Sequence, residues 1–383
     1  MTLKRGSVAV VGAAESDLGQ VAPHTSPVDL MAQATVRALD DCGLKLSDID
    51  GVFSAATQVR TAPMTLAEYL RIKPRYFDGT AIGGSSFMSH VAHAQAAIEH
   101  GLCEVALIGY GSTQRSVSRA AASPREFNPY ESPYRPFMPS SAYAMAAARH
   151  MHQYGTTREQ LAEVAVAARK WALLNPKAWE KEPLTIEQVL KSRMVSYPLT
   201  VRDCCLVVDG GGAIILTSAA RAKSLRKKPA YVLGVGEALS HANISSMPDL
   251  TATAASESGP KAYNMAKLKP TDVDMLSLYD AFTITPILFI EDLGFCRKGE
   301  GGPFVANGAI APGGKLPVNT SGGGLSYCHP GMYGLLVMIE AIRQVRGECD
   351  KRQVKDCEVA LAHGNGGVLS SQCTVIFGGP STV

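Results

Sequence analysis

The sequence predicts an α/β protein built from two copies of one strand–helix unit, stacked as an α/β/α/β/α layered body with an inserted lid or loop segment. Three observations predict it. Short apolar runs alternate with helix-length segments along the chain, as in sheets covered by helices. Three stretches of the first half recur in the second, in the same order. One long Pro-containing segment with its own helical pattern breaks the alternation between the halves.

The recurrences set the plan. Ala9-Val10-Val11-Gly12-Ala13-Ala14-Glu15 resembles Tyr231-Val232-Leu233-Gly234-Val235-Gly236-Glu237. Ser47-Asp48-Ile49-Asp50 before Gly51-Val52-Phe53 resembles Thr271-Asp272-Val273-Asp274 before Met275-Leu276-Ser277. Cys103-Glu104-Val105-Ala106-Leu107 recurs letter for letter as Cys357 to Leu361. The offsets are 222 (9 to 231), 224 (47 to 271) and 254 (103 to 357). An insertion of roughly 30 residues in a surface loop accounts for the last one. The halves are therefore placed at 1–222 and 223–383, with the inserted segment at about 113–200 inside the first.

Taken in order, Val8–Val11 is an apolar strand, and Pro27 to Leu39 is a helix with Ser26 as N-cap and Pro27 at its first position. Phe87 to His100 is an Ala-rich helix ended near Gly101, and Val105–Ile108 is a buried strand. The inserted segment carries Pro124, Pro129, Pro133, Pro136 and Pro139, then helical stretches at Ser141–Tyr154 and Thr157–Leu174. Its Arg149, Arg158, Arg169, Lys170 and Lys177 are either a solvated helical face or a cradle for a phosphorylated ligand. The second half repeats the order: Val232–Val235, the helix Met332 to Val345, Val359–Leu361, and a last strand Cys373–Phe377.

Bulk properties narrow the function classes. A chain of 383 residues buries a sizeable core, and 46% apolar with 19% charged residues is ordinary globular composition. A net charge of +3 gives no reason to expect nucleic acid or an anionic membrane as partner. No apolar run reaches bilayer length, and the start lacks the apolar region of a secretion signal, so a cytoplasmic protein is expected. Nine cysteines lie without metal-ligand spacing, and Cys204-Cys205 is the only close pair. They read as small buried hydrophobes in a reducing compartment, with no metal site. His90, His93 and His100 recur at helical spacing and fit a helix face better than a ligand set.

The repeat indicates where chemistry belongs. In each half a glycine-rich turn precedes a helix: Ile82-Gly83-Gly84-Ser85-Ser86 in the first, Ser321-Gly322-Gly323-Gly324 in the second. A helix N-terminus presents unpaired N–H groups and partial positive charge. Two of them meeting at a pseudo-twofold axis favour developing negative charge, and Gly84, Gly323 and Gly324 are the backbone positions expected to line that place.

Six stretches then carry a resemblance that covers nearly the whole chain. They are Gly83–Ser86; Tyr154-Gly155-Thr156-Thr157 through Gln160-Leu161-Ala162 to Asn175-Pro176; Asp209-Gly210-Gly211-Gly212; Tyr279-Asp280-Ala281-Phe282; Asn319-Thr320-Ser321-Gly322-Gly323-Gly324 through His329-Pro330-Gly331; and His363-Gly364-Asn365-Gly366-Gly367. In order and spacing the chain resembles the thiolase superfamily, nearest the sterol-carrier-protein and lipid-transfer-protein types. The resemblance implies a coenzyme A thioester substrate, no tightly bound cofactor, a homodimer, and a small OB-fold, zinc-ribbon partner protein. Arg149 is assigned with the glycines to the coenzyme A ligand.

The departures from the family pattern decide the chemistry. The family's nucleophilic cysteine belongs at the start of the first-half helix. Counting back from Ile98 and Gly101 places it at Gly84, followed by Ser85. Glycine forms no covalent intermediate, and serine there needs a dedicated base. The family's asparagine matches Tyr279, its Gly-His-Pro histidine is kept as His329, and the histidine nearest the second catalytic cysteine is His363.

Breaking the bond next to a thioester carbon without a covalent acyl-enzyme is a retro-aldol cleavage, which needs a base, an acid and an oxyanion donor. His363 is assigned as base, Tyr279 and Tyr327 as acid or oxyanion donors, and His329 as oxyanion histidine, with Tyr333 the rival of Tyr327. Some family members act as aldolases on steroid side chains using tyrosines, which points the same way. Two other readings stay open: an acyltransferase or residual thiolase using Ser85, and a non-catalytic acyl-CoA or lipid binder. Cys328 lies in the wrong half for the acyl position.

Overall fold

The computed structural model describes residues 3–118 and 128–383. Pro124 of the inserted segment lies outside the described residues. The strands are β1 (Val8–Glu15), β2 (Gly51–Ser54), β3 (Tyr76–Asp78), β4 (Val105–Ser112), β5 (Met194–Ser196), β6 (Leu199–Thr200), β7 (Gly210–Ser218), β8 (Ala230–Leu239), β9 (Met275–Leu278), β10 (Val359–Gly366) and β11 (Ser371–Gly378). Nine of them run in the order β3-β2-β4-β7-β1-β8-β11-β10-β9, and β5 and β6 form a separate hairpin.

Read outward from the middle, β1-β7-β4-β2 on one side matches β8-β11-β10-β9 on the other. The three recurring stretches begin β1 and β8, precede β2 and β9, and lead into β4 and β10. Within each side, outer strands pair in parallel and the strand next to the centre pairs antiparallel. In the sheet the two sides join through Ala9 opposite Tyr231 and Val10 opposite Ala230.

The helices fill the remaining layers. Pro27–Cys42 packs on β1, β4 and β7, and Ala255–Ala266 packs on β8 and β11. Between the two sides lie Ser86–Glu99 and Gly334–Arg346, which touch each other and strands of both halves. In Gly334–Arg346 every residue but Arg343 is buried, as a helix covered on all faces must be. Here the hydrophobic period disappears and an apolar run replaces it.

The strands are longer than their apolar runs suggested, because small residues continue them. Gly12 and Gly234, equivalent in the repeat, show why. A Cβ on Gly12 would stand 2.1 Å from the Ala38 carbonyl oxygen, and one on Gly234 would stand 2.1 Å from that of Ala262. Each outer helix thus lies on its sheet at a distance only glycine permits. The Pro27 helix starts as expected, with Ser26 and Asp29 in a capping box, and runs on to Cys42, where Gly43 in the left-handed region (φ 79°) ends it. The inserted helices are Ser140–Tyr154 and Arg158–Ala172, the second capped by Thr157. Among the described residues no helix is long and apolar enough to cross a membrane.

The starts of the two central helices touch backbone to backbone. A Cβ on Gly334 would lie 2.0 Å from the Gly84 carbonyl oxygen. Gly334→Ala should therefore cost about 1–3 kcal/mol through overpacking, read as a lower urea midpoint at unchanged slope. An unchanged midpoint would show that this contact does not set the helix spacing.

Candidate active site

Gly84 belongs to the turn Gly83–Ser85 that opens the Ser86–Glu99 helix. It is walled on three sides. Gly334 touches its carbonyl, the Asn365 carbonyl oxygen stands 2.7 Å from where its Cβ would be, and Tyr279 Cε2 stands 2.2 Å from that same point. The space for a side chain at this position is filled by the Tyr279 ring.

Tyr279 is placed by the strand before it. β9 ends at Leu278, whose N–H donates to Asn319 Oδ1 (2.6 Å), and the Tyr279 N–H donates to the His363 carbonyl (3.0 Å). The phenol donates to the Gly331 carbonyl (2.6 Å) and accepts from the Tyr333 N–H (3.1 Å). Burial holds its pKa well above the usual value, so the group is a proton donor at neutral pH. Its ring stands edge-on to His329 at 5.5 Å and to Tyr333 at 5.6 Å, while His329 stacks on Tyr333 at 5.5 Å. The structure therefore brings together Gly84, Tyr279, His329 and Tyr333.

The glycine loop of the second half is held against this cluster by Asp280. Gly323–Tyr327 forms one π-helical turn. The Asp280 carboxyl accepts from the N–H of Gly324 (2.6 Å) and of Leu325 (3.2 Å). A Cβ on Gly323 would lie 2.0 Å from Asp280 Oδ2, and one on Gly324 would lie 2.8 Å from His329 Cδ2. These two glycines admit the carboxyl on one side and the imidazole on the other. Burial raises the Asp280 pKa to about 7 against the pull of the loop N–H groups.

Four assigned residues stand elsewhere. His363 is fully buried on β10, its ring 4.6 Å from Phe289. Nδ1 pairs with the Thr374 hydroxyl (2.9 Å) and Nε2 with Gln372 Oε1 (2.9 Å), and burial lowers its pKa to about 4. An imidazole with both nitrogens engaged is no free base. Gln372 donates in turn to Asn365 Oδ1 (2.9 Å), and Asn365 donates to the Tyr143 phenol (2.7 Å). Tyr327 donates to Glu15 Oε1 (2.9 Å), away from the cluster. Burial would raise the Glu15 carboxyl, but Arg343 and Lys177 hold it far below its usual range. Ser85 bonds to the Ile82 carbonyl and to Ser371, with no imidazole to activate it. Arg149 lies on the solvent face of its helix, bonded to Gln153 (3.1 Å), while Tyr143, Ala146, Ala147 and His150 take the buried face.

A cavity of about 400 Å³ opens beside the glycine loop, its lining including Arg115, Arg169, Trp179, Arg202, Cys205 and Leu325. Arg115 lies 4.8 Å over Trp179, and Arg169 donates to the Ser326 hydroxyl (3.0 Å). Glu180 on the same wall pairs with Arg169 (2.9 Å) and Arg202 (3.5 Å), so Arg115 and the indole are the groups that suit an anionic or aromatic ligand. A larger opening of about 620 Å³ surrounds Glu15, Lys177 and Arg343. Its cations are neutralised by Glu15 and Asp41, and it does not reach Tyr279. Arg115, Arg202 and Trp179 were missed in the sequence because no spacing rule links them. Tyr143 and Asn365 were missed because each looks like an ordinary core or turn residue.

Outer helices, a central helix pair and a buried, glycine-walled cluster of imidazole and phenol define an α/β fold of the thiolase kind. Residues 236–379 match the family described as Thiolase C-terminal domain-like. An acetyl-CoA acetyltransferase of Methanothermobacter thermautotrophicus is 33% identical over 97% of this chain and 99% of that protein. A 17-hydroxy-3-oxo-4-pregnene-20-carboxyl-CoA lyase of Mycobacterium tuberculosis is 33% identical over 89% of this chain and 92% of that protein. The solved Ltp2-ChsH2(DUF35) aldolase superposes with a TM-score of 0.88 at 30% identity, over 99% of each chain. The chain belongs to the thiolase superfamily.

Two predictions follow from this geometry. Gly84→Ala should lose about 1–3 kcal/mol of stability, and in Tyr279→Ala the same exchange should cost much less, so additive losses in a double-mutant cycle would refute the contact. Asp280 has a folded-state pKa raised to about 7, so the folded state binds its proton more tightly. Its contribution to stability is greatest below the unfolded pKa of about 4 and is lost as pH rises towards 7. Denaturant titrations from pH 4 to 7 should show a steeper fall in wild type than in Asp280→Asn.

Proposed function

We propose that this protein is an acyl-CoA carbon–carbon lyase that cleaves a 3-hydroxyacyl-CoA thioester by a retro-aldol reaction. The observation that carries this reading is the Tyr279 ring in the space over Gly84, where a side chain would begin. At Gly84 itself a covalent acyl-enzyme has no atom to form on, and a phenol stands in its stead. The lyase and aldolase relatives support the reaction class and a steroid side chain as the acyl group.

The steps use few groups. The coenzyme A part occupies the arginine-lined cavity, and the thioester reaches past Leu325 to the cluster. His329 accepts the β-hydroxyl proton as the bond between the α- and β-carbons breaks. The β-carbon leaves as a ketone or aldehyde, and the electron pair passes into the thioester enolate. Tyr279, kept protonated by burial, turns its O–H from the Gly331 carbonyl to the enolate oxygen. The His329 imidazolium then returns the proton to the enolate carbon, so protons balance within the site. His329, edge-on to Tyr279 at 5.5 Å, carries this proton traffic in the proposed reaction. The partner named in the solved aldolase supports a small partner protein here, and a homodimer belongs to the same reading.

The acetyltransferase relative favours acyl transfer as a second reading. The test separates the two. The protein is incubated with a 3-hydroxyacyl-CoA whose β-carbon is fully substituted, and in parallel with acetoacetyl-CoA plus free coenzyme A. Release of the carbonyl compound and the shortened acyl-CoA, without a protein adduct by mass spectrometry, is expected. Thiolysis of acetoacetyl-CoA, or a stable acyl group on Ser85, would establish acyl transfer. Tyr279→Phe should lower lyase turnover at least about tenfold. Unchanged turnover would remove Tyr279 from the mechanism.

A further inference from the structure

The buried phenols near Gly84 differ in where their protons go. Tyr110 donates to the Pro330 carbonyl (2.6 Å), Tyr279 to the Gly331 carbonyl (2.6 Å) and Tyr327 to Glu15 (2.9 Å). Tyr143, on the inserted Ser140–Tyr154 helix, only accepts: Asn365 Nδ2 donates to its oxygen (2.7 Å), and among the described residues no group takes its proton. The side chain is 2% exposed, so water does not satisfy it freely. A buried donor left without an acceptor costs free energy unless a ligand supplies one.

Its surroundings place that donor at the reaction centre. The ring is stacked on Phe282 at 4.4 Å, three residues after Tyr279. Asn365, which holds the phenol, also presses its carbonyl against Gly84. Cys205 lines the arginine cavity and lies near enough to Tyr143 and Tyr279 that its charge would act on both. Burial pushes the Tyr143 pKa up to about 12, opposed by the Asn365 amide and then by the Leu369 N–H, so the phenol keeps its proton at neutral pH. The amide in turn cannot flip, because its oxygen is claimed by Gln372, itself fixed by His363.

We propose that Tyr143 is a second hydrogen-bond donor to the enolate oxygen, working beside Tyr279, and that Asn365 is the positioning residue that turns its O–H into the cleft. The inference rests on the lyase reading for its reaction, but enolate stabilisation has a signature of its own. Exchange of the α-protons of the product acyl-CoA in D₂O requires the enolate and no carbon–carbon bond cleavage.

The experiment measures both rates in wild type, Tyr143→Phe, Asn365→Asp and the double variant. Tyr143→Phe should lower cleavage and exchange together by about 100-fold, the loss of one oxyanion donor, with KM changed less than about threefold. Asn365→Asp replaces the donor by a carboxylate that captures the phenol proton. It should cost a similar factor, and the double variant should fall no further than Tyr143→Phe. Additive losses would reduce Asn365 to a structural role. Cleavage by wild type with Tyr143→Phe unchanged would overturn the assignment of Tyr143 and leave the lyase reading standing. Exchange without cleavage in wild type, slowed in Tyr143→Phe, would do the reverse. Wild type inert in both assays would overturn both.

Discussion

The site depends on one steric constraint: at Gly84 four pieces of chain meet with no side chain between them. The first central helix starts there, the second touches its carbonyl, the end of β10 presses the Asn365 carbonyl against it, and Tyr279 closes the remaining side. The arrangement exists because both halves of the sheet deliver their strand ends to the same place. β9 ends one residue before Tyr279 and β10 runs through Asn365. Moving any of the four by a methyl group's width moves the phenol relative to the imidazole.

Around that seam the polar groups divide the labour by what their neighbours leave them. Asp280 spends its carboxyl on the Gly324 and Leu325 amides and so fixes the loop that carries His329. His363 spends both nitrogens on β11 and so orients Gln372 and, through it, Asn365. Tyr327 is tied to the Glu15–Arg343 pair, a buried ion pair whose carboxylate is matched by two cations. The Tyr279 proton rests on a backbone carbonyl and the Tyr143 proton on no acceptor among the described residues, and both are proposed to go to a transient oxyanion.

Much of this was legible in the sequence. The duplication and the order of strands and helices follow from recurring letters, because strand starts are local and repeat when a unit repeats. The expected meeting of two glycine turns is replaced by Gly84 against Gly334, since Gly323–Tyr327 forms a π-helical turn and the second central helix starts only at Gly334. Tyr279 and His329 were legible because they sit in motifs. Three residues that the structure sets apart from the cluster share one reason for it. His363, Tyr327 and Arg149 have suitable chemistry and suitable positions along the chain, but which way each points is decided by packing partners far away in sequence: Gln372 and Thr374 across a strand pair, Glu15 at the far end of the chain, and solvent. Tyr143 and Asn365 were invisible for the complementary reason. They lie 222 residues apart and acquire meaning only from one hydrogen bond.

The paired glycines beneath the outer helices bear on how far the two copies have been free to drift apart. Helix and strand in each copy are spaced by the absence of a side chain at Gly12 and Gly234, and nothing in one copy relieves crowding in the other. Both copies carry glycine at this position for a reason of ångströms beneath a helix rather than of catalysis.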